Sequence, residues 1–162
     1  MVKVLFICLG NICRSPIAEE TFRQQVTEAG LADAIQCDSA GTGNYHIGEL
    51  PDTRIRKVAQ AKGLTLSHRA RQLAKADFSD FDYLIAMDAN NLLHIENLAR
   101  QTQSSVDSLP VIRLLRSYTP KETQFEVPDP YYGTMEDFEQ TYQIVNTANL
   151  HLLAHIRATH QL

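Results

Sequence analysis

Residues 2–8, VKVLFIC, form a nearly unbroken apolar run rich in β-branched residues, and the polar stretch LGNICRSP follows at once. Such a run suits a strand buried on both faces, as in a parallel sheet. From residue 16, PIAEETFRQQVTEAG reads as a helix. Pro16 sits near its first turn, Glu19 and Glu20 at its positive end, and Gly30 at its stop. A parallel strand must return through a crossover, usually helical. Strand, short loop and helix therefore already commit the chain to an α/β architecture.

The rest of the sequence repeats this alternation. Residues 34–43, AIQCDSAGTG, read as a short strand entering a glycine-rich loop, and residues 52–63 as a helix that Gly63 ends. FDYLIAMD, residues 81–88, is a second strongly apolar strand, followed by a helix over about 89–100. SLPVIRLL, residues 108–115, is a weaker strand, placed at a sheet edge by Pro110. Residues 116–133 read as a long loop. A last helix starts at Thr134, where Thr134 and Asp137 resemble a capping box. Phe138, Tyr142, Val145, Leu152 and Ile156 recur on one face of it. The order predicts a single domain over residues 1–162. Its fold is a doubly wound, four-stranded parallel sheet with helices on both faces. Ligands bind beyond the carboxyl ends of the strands in such sheets, which is where LGNICRSP falls.

Composition narrows the function. The 162 residues are 44% hydrophobic, enough for one sizeable core. A net charge of −4 argues against a general nucleic-acid binder but leaves room for a local anion pocket. Three cysteines, Cys8, Cys13 and Cys37, are too few for a disulfide scaffold. They suit a reducing cytoplasm. The opening run is too short for a signal peptide and lacks a cleavage site, and no stretch approaches the ~18 apolar residues of a membrane span.

The loop between Cys8 and Pro16 brings backbone N–H groups to a helix N-terminus, a natural anion site. Gly10 permits a tight turn and Asn11 tolerates left-handed backbone angles. Arg14 adds a planar fork for two phosphate oxygens. Such a positive field favours thiolate, and a thiolate aimed at phosphorus is a nucleophile for phosphoryl transfer. The competing reading makes Cys8 a small core hydrophobe. An ester oxygen leaving phosphorus also needs a proton. Asp129 in EVPDPYYG, stiffened between Pro128 and Pro130, is the candidate acid, with Tyr131 and Tyr132 as walls for an aromatic substrate. An ordinary proline turn is the alternative there.

CLGNICRSP and DPYYG, together with DSAGTGNYHIG and HRARQL, resemble the low-molecular-weight protein tyrosine phosphatase family in all four segments and in their order. The resemblance implies Cys8 as nucleophile through a phosphocysteine and Arg14 as phosphate and transition-state ligand. It implies a cradle of backbone amides over Leu9, Gly10, Asn11, Ile12, Cys13 and Arg14. Ser15 would donate to the Cys8 sulfur, and Asp129 would act as general acid and then base. Asn11 would hold a strained left-handed backbone tied to Ser39 and His68. Tyr45 would join Tyr131 and Tyr132 at the substrate rim. Asp88 matches a family position without an assigned role. No metal or cofactor is implied. The partners implied are tyrosine-phosphorylated proteins, a tyrosine kinase among the candidates, with phosphate and other oxyanions as inhibitors. A monomer or weak homodimer is expected.

Three rivals keep the same loop or thiol. A thioredoxin-coupled arsenate reductase needs further cysteines near the third strand, and FDYLIAMDANNLLHIENL has none. A phosphoarginine phosphatase of this type tends to carry threonine where this chain has Ile12. A cysteine phosphocarrier has no use for Arg14 or for an acid such as Asp129. Cys8 and Cys13 alone make a poor zinc site. Cys13 also suggests a reversible disulfide that protects an oxidised Cys8, with simple packing as the alternative.

Overall fold

The structure is a computed structural model and describes residues 1–102 and 109–162. In chain order the elements are β1 (Val2–Cys8), α1 (Arg14–Glu28), β2 (Ile35–Gly41), α2 (Thr53–Ala61) and a short α3 (Asp77–Asp80). Then come β3 (Tyr83–Ala86), α4 (Ala89–Thr102), β4 (Val111–Leu114), a 3₁₀ turn (Leu115–Tyr118) and α5 (Met135–His160). The four strands form one sheet in the order β2-β1-β3-β4, and all three pairings are parallel. β4 is an edge strand, as Pro110 foretold. The expected strand over 108–115 starts at a position outside the described residues.

β1 explains why the sheet is covered on both faces. Val4, Phe6 and Cys8 enter one core with Ile17 and Phe22 of α1, Ile55 of α2, and Phe138, Val145, Leu152 and Ile156 of α5. Leu5 and Ile7 enter the other, with Phe78 of α3 and Ile95 and Ala99 of α4. Alternate side chains of one strand thus feed two cores. The chain runs from β1 outward to β2 and later back to β3 on β1's other side. The strand order therefore switches at the carboxyl ends of β1 and β3, where α/β sheets leave a crevice.

Gly30 and Gly63 stop α1 and α2 with left-handed φ of 72° and 77°. At each, two N–H groups turn back onto the last helical carbonyls: Gly30 to Thr27 and Leu31 to Val26, and Gly63 to Gln60 and Leu64 to Ala59. The start of α1 differs from expectation. The helix begins at Arg14, so Pro16 is its third residue and Glu19 and Glu20 lie beyond the first turn. They do not meet the positive helix end but pair with Arg23. The short α3 and the 3₁₀ turn were not expected, since four residues carry no readable periodicity.

Candidate active site

Cys8 is the last residue of β1 and pairs with Gly41 at the end of β2. A side chain on Gly41 would stand 2.7 Å from the Leu9 carbonyl and 3.2 Å from the Asn11 nitrogen, so glycine is what lets β2 lie against the loop. The loop carbonyls are turned to neighbours. Thr42 N–H donates to Cys8, Gly43 N–H to Leu9, and Asp52 N–H to Ile12, at 2.8–2.9 Å. Among the described residues, the backbone N–H groups of Leu9 through Cys13 make no hydrogen bond. Apart from Asn11, these residues line a cavity of about 360 Å³, at the positive end of α1.

Leu9, Gly10, Ile12, Cys13 and Arg14 wall this cavity with Cys8. Tyr45, Asp129, Tyr131 and Tyr132 form the outer part, and Tyr132 is almost fully exposed. Asn11 and Ser15 are fully buried beneath it. Gly10 does not have the left-handed backbone that a tight turn would ask for. It is small for another reason: a side chain there would meet the His46 ring at 3.1 Å.

Below the cavity floor, hydrogen bonds fix each group in turn. Asn11 has φ 57° and is held in that conformation from four directions. Its Nδ2 donates to Ser15 Oγ (2.8 Å) and Ser39 Oγ (3.0 Å), and its Oδ1 accepts from Arg71 N–H (3.0 Å) and lies 2.9 Å from His68 Nε2. Because Arg71 N–H can only donate, Oδ1 is an acceptor and His68 Nε2 carries the hydrogen. Ser15 Oγ, already accepting from Asn11, has its own hydrogen free for Cys8 Sγ, 3.0 Å away. Ser39 Oγ likewise passes its hydrogen to Glu19 Oε1 at 2.7 Å. Glu19 is the buried end of the network, a role that no pattern within its own helix signals. His68 Nδ1 faces Glu19 at 3.5 Å and Asp38 at 3.4 Å. Among the described residues, these three are the group with metal-type ligand atoms close together. Each is already engaged by Ser39, Arg71 or Asn11, which makes the group a brace under the loop.

Arg14 is buried, and Asp88 gives it a partner. Arg14 Nη1 donates to Asp88 Oδ2 at 2.6 Å and to the Val127 carbonyl at 3.0 Å. Burial pulls the guanidinium down, but Cys8, Asp88 and Asp129 together outweigh it and hold it above its ordinary value. Asp88 Oδ1 also accepts from Asn91 N–H at 2.8 Å, capping α4. One carboxylate thus anchors a helix and a guanidinium. Asp129 Oδ2 stands 3.6 Å from Arg14 Nη2, an ion pair too long for a hydrogen bond, and Asp129 is half exposed. The second thiol sits differently. Burial, then the negative charges of Asp52, Cys8 and Asp129, push the Cys13 thiol far up. Sequence reasoning missed His46, which lines the cavity from within the segment DSAGTGNYHIG, and Asp52 and Arg54, which stand behind it and lie in no quoted motif.

A profile described as low molecular weight phosphotyrosine protein phosphatase matches residues 3–162. The chain belongs to this family. It is 43% identical over 157 residues to the low molecular weight protein-tyrosine-phosphatase of Streptomyces coelicolor, covering 96% of this chain and 93% of the relative. The crystal structure of a protein tyrosine phosphatase from Entamoeba histolytica superposes with a TM-score of 0.89 at 33% identity, covering 100% of both chains. A drosophila arginine phosphatase gives the same TM-score at 34% identity, over 96% of this chain and 98% of that one. The relatives are named protein-tyrosine-phosphatases, a kind of phosphoric monoester hydrolase, and the Entamoeba structure shares this fold over its whole length. Among the described residues, no helix is long and apolar enough to cross a membrane.

Proposed function

We propose that this chain hydrolyses phosphotyrosine and small aryl phosphates through a phosphocysteine on Cys8. One observation carries the reading: Cys8 Sγ, within reach of the Ser15 hydroxyl, shares one cavity with unpaired loop N–H groups, Arg14 and Asp129. The Cys8 thiolate attacks phosphorus as the ester P–O bond breaks, and Asp129 gives its proton to the departing phenolate. Arg14 and the amides of Leu9 through Arg14 hold the phosphoryl oxygens as charge moves across them. Asp129, now a carboxylate, takes a proton from water. That water attacks phosphorus and releases phosphate and the Cys8 thiolate. Ser15 supports the thiolate as it forms and leaves. Ser39 and His68 hold Asn11, and Asn11 holds the loop.

Tyr45, Tyr131 and Tyr132 flank the substrate ring, so tyrosine-phosphorylated proteins in a reducing cytoplasm are the substrates. Inorganic phosphate and other tetrahedral oxyanions act as inhibitors. Phosphoarginine is the second reading, because one relative of the same fold is named an arginine phosphatase. Ile12, a branched apolar wall of the cavity, favours the aryl ester.

The test is turnover of p-nitrophenyl phosphate, a phosphotyrosine peptide and phosphoarginine, with EDTA present and the protein freshly reduced. The two aryl esters are expected to turn over and phosphoarginine to lag behind them. Cys8→Ser should abolish the activity on every ester, and Asp129→Asn should lower kcat/KM for the phosphotyrosine peptide by roughly the 10²–10⁴ of a general acid. Absence of aryl ester turnover, or a preference for phosphoarginine, would overturn the reading.

A further inference from the structure

The segment that carries Asp129 is tied to the site on its N-terminal side by Val127. The Val127 N–H donates to the Met87 carbonyl at 2.8 Å, and its carbonyl accepts from Arg14. Asp129 itself has little to hold it. Its Oδ1 accepts from the Tyr131 N–H at 3.1 Å, and the Arg14 ion pair is long. Its aim therefore depends on where the segment places it.

On the C-terminal side the segment meets Arg54, in the first turn of α2. The Arg54 guanidinium carbon lies 5.4 Å from the centre of the Tyr131 ring and 4.4 Å from that of Phe138, a fully buried residue at the start of α5. A planar, weakly hydrated cation stacks well on aromatic faces. Asp52 fixes that cation in two places, accepting from Nε at 3.0 Å and from Nη2 at 2.8 Å. The Asp52 backbone N–H in turn donates to the Ile12 carbonyl of the phosphate loop.

We propose that Arg54 is a positioning residue for proton transfer. Through Tyr131 on one side and Asp52 on the other, it locks the segment bearing Asp129 to the loop bearing Cys8. Arg54 does not line the cavity, so it acts through the acid and not on the substrate. The inference rests on the phosphatase reading above. Lysine would keep the charge beside Asp52 but lose the flat stack.

The experiment compares two esters. p-Nitrophenolate departs readily without a proton, whereas phenolate requires one. Arg54→Met should lower kcat/KM for phenyl phosphate about tenfold more than for p-nitrophenyl phosphate, a part of the 10²–10⁴ that a general acid supplies. Arg54→Lys should fall between wild type and Arg54→Met. The inhibition constant of inorganic phosphate should stay within about twofold, because the cradle is untouched. In an Asp129→Asn background, Arg54→Met should cost nothing further, as groups acting through one step are not additive. Equal losses on both esters, a parallel weakening of phosphate inhibition, or full additivity with Asp129→Asn would each overturn the inference. Those results leave wild-type turnover intact. A wild-type protein inert toward both esters would instead bring down the phosphatase reading, and this inference with it.

Discussion

Asn11 holds a backbone conformation that costs a non-glycine residue roughly 1–3 kcal/mol, and it is paid back by the four hydrogen bonds around its amide. Its tolerance for that conformation was legible from residue type. Its partners Ser39 and His68 were legible only through family resemblance, since they lie 28 and 57 positions away and no spacing rule connects them. Asp88 was visible as a position but not as a function, because its two roles involve α4 on one side and Arg14 on the other. The roles separate by substitution. Asp88→Ser keeps a good helix cap but is too short to reach Arg14, and Asp88→Ala loses both. Both variants should lose the same factor in kcat/KM, on the order of tenfold to a hundredfold for one hydrogen bond to a charged group. Asp88→Ala should be less stable than Asp88→Ser by about 1 kcal/mol, the worth of a cap. Urea melts beside aryl phosphate kinetics measure the two. Unequal activity losses would mean that the serine still serves Arg14.

Among the elements, β1 and its loop were the most readable, because an apolar run and a glycine-asparagine turn are local signals. The start of α1 was less so. Pro16 looks like a helix opener, yet a proline is equally tolerated deeper in the first turn, where its missing N–H has no partner to lose. Beginning at Arg14 puts the helix's positive end directly under the loop. It also carries Glu19 to the buried side, against Ser39 of β2. This loop and β2 hold the three thiols. Cys37 lies against the Glu19 carbonyl, and burial is the main influence pushing it up to about 12, ahead of Arg23, which pulls the other way. Cys13 is displaced further in the same direction. A thiol reacts as its thiolate, and a raised value leaves almost none of it at pH 8. Iodoacetamide at pH 8 should therefore leave Cys13 and Cys37 unmodified in the folded protein, while urea-unfolded protein labels at both. Peptide mass spectrometry reads the difference. Prompt labelling of folded Cys13 would show that the loop does not bury it as described.

Across the whole molecule, strand order and two-sided packing followed from one buried strand and the alternation of elements, while the contacts that lock α5 to the sheet were hidden in long-range pairings. One of them, at Tyr83, lies at the amino end of β3, opposite the site. Tyr83, first residue of β3, has its hydroxyl 3.0 Å from His160 Nε2. His155 packs 4.9 Å from the Tyr118 ring and 6.3 Å from that of Tyr83, with Thr159 Oγ1 3.4 Å from its Nε2. Arg113 lies over Tyr118 at 4.3 Å. Burial first, then the charges of Arg113 and His160, lower His155 below its ordinary value. As pH falls through the unfolded value of about 6.5, the unfolded chain takes a proton that folded His155 resists, so acid favours unfolding. The melting temperature should drop between pH 7 and pH 5, and His155→Gln should shrink that drop, because its amide takes no proton. With the site at the other end of the sheet, kcat/KM at pH 7 should not change in this variant. Calorimetric melts across that range test the point. An undiminished acid drop in His155→Gln would assign the sensitivity to other groups and remove His155 as the joint through which α5 responds to pH.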